Sequence, residues 1–153
     1  MDGFESLVLH AEKVREHGDP QRALEIFAST LSWGLPPAEV SIVFCHMGQC
    51  KEHLGHVILA EENYAKALEK ARDSKNGFII ARALRHLVSI RMRQGRYGDA
   101  LDLGKEAWRI YQDYSAQINQ PIPANSVWIV HGIVKTLIDG KYSPEAIRHW
   151  TKL

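Results

Sequence analysis

The chain has 153 residues, a formal net charge of +1, 45% hydrophobic and 24% charged residues. That is enough chain for one domain with a continuous core, and the composition of an ordinary soluble protein. The near-zero charge supplies no bulk field toward nucleic acid or a membrane surface, and no apolar run is long enough to span a bilayer.

The elements follow in chain order. The opening MDGFESLVLHAEK lacks a basic start and a cleavage site, so no signal peptide is expected. A first helix is predicted from about Ser6 to His17. Gly18-Asp19-Pro20 ends it and starts the next, with Asp19 as N-cap and Pro20 at the first helical position. The second helix ends near Ser32, because Trp33-Gly34-Leu35-Pro36-Pro37 cannot continue it. A third helix is predicted over Ala38 to Leu54 and a fourth over Val57 to Arg72. Asp73 to Gly77 is a polar connector. The fifth helix is expected from about Phe78 to Gln94 and the sixth from Tyr97 to about Ile118. Asn119 to Asn125 is a loop, followed by an apolar seventh helix, Ser126 to Asp139, and an eighth from about Ser143 to Leu153. No strand signal competes.

These helices repeat in pairs. Leu7, Ala11 and Val14 precede Gly18, and Ala23, Phe27 and Thr30 follow it. Phe44, Met47 and Gly48 precede Gly55, and Ala60, Tyr64 and Ala67 follow it. Leu84, Leu87 and Val88 precede Gly95, and Ala100, Gly104 and Ala107 follow it. A blurred fourth copy runs from Ile129 and Ile133 through Gly140 to Ala146. The turn glycines Gly18, Gly55, Gly95 and Gly140 lie 37, 40 and 45 residues apart. Such a period is the mark of a helical repeat array. A small residue, a ring and a small residue on one face let two helices approach closely, with the ring filling the gap.

The pattern resembles the tetratricopeptide repeat, whose signature is W-x2-L-G-x2-Y, then A-x3-F, then P. The second copy carries it best: Phe44-x2-Met47-Gly48-x2-Lys51, then Ala60-x3-Tyr64. The first keeps Ala23-x3-Phe27 with Pro36 and Pro37 behind it, and the third keeps Leu84-x2-Leu87. It departs where Lys51 and Arg91 stand at the usual tyrosine, where Gly104 replaces the ring, and in spacings above the standard period of about 34. The resemblance implies an all-α fold, a right-handed α-solenoid of about four helix-turn-helix pairs over residues 4–35, 38–73, 78–118 and 126–153. It also implies a concave groove, lined by the first helix of each pair, that holds an extended or helical segment of another protein.

Several constellations are candidates for chemistry. On the fifth helix Arg82, Arg85, His86, Ser89, Arg93 and Arg96 form one stripe, opposite Leu84, Leu87 and Val88. Arginine's planar donors suit carboxylate or phosphate, so this stripe points to an acidic partner segment. The alternative is a solvated face whose arginines pair with Glu61, Glu62 or Glu69. His46 and Gln49 on the third helix complete the expected contact set, and the seventh helix adds Val130, Val134 and Leu137. The lysine-asparagine clamp by which some family members hold a chaperone's carboxylate is not matched: its positions carry Val8, Glu12 and His46.

His46, Cys50 and His53 share a helical face and are the residue types that bind zinc or copper. Small cysteines among polar histidines, with no second ligand pair, explain them more simply. No phosphate-binding loop, dinucleotide fingerprint, zinc-protease motif or serine elbow occurs, so no enzyme and no cofactor is expected. Cys45 and Cys50, five apart on one helix, suit no disulfide, which favours a reducing, cytoplasmic setting. Lys51 and Arg91 should face a neighbouring helix and either snorkel or meet a carboxylate. The final helix keeps Ile147, Trp150 and Leu153. It belongs to a longer chain, packs on a partner or a second copy, or is solvated by Arg148, His149 and Lys152. The expected function is protein–protein interaction, through an acidic or amphipathic segment. A peptide-sensing regulator and a self-association module are the alternatives.

Overall fold

The computed structural model describes residues 2–119. Among them are six α-helices, one 3-10 turn (Thr30–Ser32) and no strand. The helices are α1 (Gly3–Glu16), α2 (Pro20–Ser29), α3 (Pro37–His53), α4 (Val57–Ser74), α5 (Gly77–Arg93) and α6 (Tyr97–Ile118). The expected seventh and eighth helices, and with them the fourth repeat, lie outside the described residues.

Caps set most of the boundaries. Asp2 Oδ1 accepts from the Glu5 amide at 2.8 Å, which starts α1 three residues before the expected Ser6. Asp19 Oδ1 accepts from the Arg22 amide at 3.1 Å, with Pro20 next in line, as the sequence predicts. Asn76 Oδ1 accepts from the amides of Phe78 and Ile79, which starts α5 at Gly77. Each cap satisfies amides that the first helical turn cannot. α4 runs two residues beyond the expected Arg72, into the polar connector, and stops where Lys75 turns left-handed at φ 55°.

Three turns are built alike. Gly18, Gly55 and Gly95 have φ of 98°, 80° and 73°. After each, the next amide reaches back five residues: Asp19 to Val14, His56 to Lys51 and Arg96 to Arg91. Each glycine's own amide closes an inner bond, to Arg15, Glu52 and Met92. This closure needs a left-handed residue, which a side chain disfavours.

The chain divides into two compact units, Met1–Ser74 and Lys75–Leu153. In the first, α1 packs on α2, α2 on α3 and α3 on α4. Its main core gathers Ala11, Ala23, Phe27, Val43, Met47 and Cys50, with Phe4, Val8 and Val14 leaning on it from α1. Between α3 and α4 the Tyr64 ring lies against Gly48 so closely that a Cβ there would sit 2.4 Å from it. Ala60, Tyr64 and Ala67 are fully buried, and the Tyr64 hydroxyl donates to Glu52. Ser41 Oγ crosses to the Ala67 carbonyl at 2.7 Å.

In the second unit α5 packs on α6. Val88, Met92 and Ala100 form its described core, flanked by Tyr97, Leu101 and Leu103. Phe78 meets Tyr111 edge to face at 6.1 Å. Forty residues on from Gly48 and Tyr64 stand Val88 and Gly104, all four buried. The bulk has moved from the second helix of the pair to the first.

Candidate functional site

In the first unit the chemistry gathers where Glu12 of α1 reaches His46 of α3. α3 turns His46 inward, to 7% exposure, and lays its ring flat on Phe27 at 4.8 Å between centroids. His46 Nδ1 donates to Glu12 Oε1 at 3.0 Å. Arg15, one turn further along α1, forks onto the same carboxylate: Nε to Oε1 at 3.1 Å and Nη2 to Oε2 at 2.7 Å. Burial works to raise the Glu12 carboxyl. The bonds from His46 and Arg15 outweigh it and hold the carboxyl down at about 2. Cys50 lies fully buried beside this group. Burial pushes its thiol up to about 11, against the pull of the Arg15 guanidinium. At neutral pH it is a protonated core residue, a poor nucleophile and a poor metal ligand.

His46, expected as a ligand contact, is therefore engaged inside the unit. Gln49, one turn on, is half-buried, and its Oε1 is shielded without a hydrogen bond from the described residues. The Oδ1 of buried Asn63 on α4 is in the same state. His53 is exposed while His46 and Cys50 are buried. Among the described residues no group of three His, Cys, Asp or Glu side chains is placed to hold a metal ion. Cys45 and Cys50 are both buried free thiols. Lys51 is half-buried, as is Arg91.

In the second unit α5 carries the basic stripe. Leu84, Leu87 and Val88 are buried, as the helix period requires. Arg82, Arg85, His86 and Ser89 are half-buried and Arg93, the last residue of α5, is exposed; Arg96, expected on the same stripe, lies past the Gly95 turn as the residue before α6, and is exposed. Arg96 Nε and Nη2 both donate to Asp99 Oδ2, at 3.1 and 2.8 Å, within the start of α6. The stripe is thus a half-covered row of cations, not the open face that the helix period alone suggests.

Sequence reasoning named Glu12 and His46 among the groove positions but did not pair them. They lie 34 residues apart, three short of the 37 between Gly18 and Gly55, so the counterpart of Glu12 is Gln49 and His46 stands one turn before it. Nothing local in the sequence announced Phe27 as the surface under His46.

An apolar strip also opens α4: Val57 and Leu59 are exposed, and Ile58 is 73% exposed. No helix of the described residues is long and apolar enough to cross a membrane. No protein-family model matches the chain, and no curated protein matches its sequence.

Proposed function

We propose that this chain is a divergent tetratricopeptide-like repeat protein, a right-handed α-solenoid whose role is to bind another protein rather than to catalyse a reaction. The three described helix pairs support the reading. They fall on the expected repeats 4–35, 38–73 and 78–118, and in each the two helices are joined through a left-handed glycine. The observation that carries the function is the α5 stripe of Arg82, Arg85, His86 and Arg93. Its partner is an acidic or amphipathic segment whose carboxylates or phosphates take the arginines' paired donors. His46 and Gln49 act differently in this reading. His46 shapes the α3 surface from inside, and Gln49, half-buried on the same helix, meets the partner with its exposed part and not with its shielded Oε1. The setting is cytoplasmic and reducing, where Cys45 and Cys50 remain thiols.

The test is partner capture with wild type beside an Arg82→Gln/Arg85→Gln/Arg93→Glu variant. Glutamine is chosen at the half-buried positions so that no carboxylate is forced into the unit. Far-ultraviolet circular dichroism and melting must match first. The expected outcome is a specific partner held by wild type and lost, at least tenfold, by the variant. A partner that binds both equally removes α5 from the interface.

A further inference from the structure

α1 is the least anchored helix of the first unit. Of its residues only Ala11 is fully buried, whereas α3 buries Ser41, Val43, Cys45, His46, Met47, Gly48 and Cys50. Phe4, Val8 and Val14 reach the core only in part, and Leu9 is exposed. A helix held by so little apolar surface opens locally before the elements beneath it. Against that tendency stands a charged tie. Glu12 crosses from α1 to His46 on α3, and Arg15 holds the carboxylate in place. Directly under α1 lies the cluster that contains Cys50.

We propose that α1 is a lid on the first unit, latched by the Glu12 carboxylate. Closed, it covers Cys50 and the apolar faces of Phe27, Val43 and Met47. Open, it uncovers them while α2, α3 and α4 stay packed on one another. The latch works through the ion and hydrogen bonds of Glu12, because both of its oxygens are taken by groups that a neutral amide would hold more weakly. Cys45 supplies an internal reference. It is buried like Cys50 but is not part of the cluster under α1.

The experiment is labelling of the full chain with N-ethylmaleimide, with the two thiols resolved by peptide mass spectrometry. Glu12→Gln is expected to speed modification of Cys50 about ten- to a hundredfold and leave Cys45 unchanged. An unchanged Cys50 rate overturns the latch. Equal acceleration of both thiols overturns the lid, because it reports opening of the whole unit. Should the variant fail to fold, hydrogen exchange on wild type decides. Amides of Glu12 to Glu16 must then exchange faster than those of His46 to Cys50; equal rates overturn the lid.

Discussion

Glu12 shows how one residue gains its weight from its neighbours. On a bare helix it is an exposed carboxylate three residues before an arginine, a pair worth about 0.2–0.5 kcal/mol. Beneath His46 and Arg15 its carboxyl is held at about 2, down from 4.5. The sign follows. A carboxyl depressed in the folded state adds stability that is fully present above pH 4.5 and is lost as pH falls toward 2. Wild type is therefore expected to lose about 1–3 kcal/mol more than Glu12→Gln between pH 5 and pH 2.5, read from urea midpoints at each pH. Parallel losses would mean that the carboxylate makes no special contribution. Cys50 is the counterpart: with its thiol at about 11, its protonation does not change across this range.

At the scale of the element, the helix pairs are set by where bulk and absence of bulk meet. Gly48 admits the Tyr64 ring, and the first copy uses Ala11 with Phe27 in the same places. A methyl at Gly48 would meet ring carbons at 2.4 to 2.8 Å, and a buried ring cannot swing aside as a chain end does. Gly48→Ala is expected to destabilise the protein by about 1–3 kcal/mol, although alanine is the better helix former by about 1 kcal/mol. A chemical denaturation curve measures it, and a neutral or stabilising result would show that α3 and α4 can separate without cost. The expectation of a small residue and a ring came from the spacing Gly48, Ala60, Tyr64, Ala67 alone. The reversal in the third copy, Val88 with Gly104, was visible only as a missing ring until both residues were found buried.

At the scale of the molecule, the first unit contains α1 to α4 and closes its core on its own residues. A fragment of residues 1–74 is expected to keep its helices and unfold cooperatively in urea, with a smaller slope than the full chain because less surface is exposed. A featureless, non-cooperative curve would show that the unit needs the rest of the chain. The sequence by itself determined the all-helical class, the six described helices to within a few residues, and the three glycine turns. These depend on local chemistry: apolar period, N-caps, prolines and the left-handed residue after each helix. It also named the cationic row on α5, since a helix period fixes which side chains share a face. Only the tertiary structure decided which of those side chains are covered. That Arg82, Arg85 and His86 are half-buried, that His46 lies on Phe27, and that Glu12 joins α1 to α3 all depend on contacts between residues far apart in the chain. Burial and pairing of that kind belong to the packing of helices against one another, and no single helix's periodicity contains them.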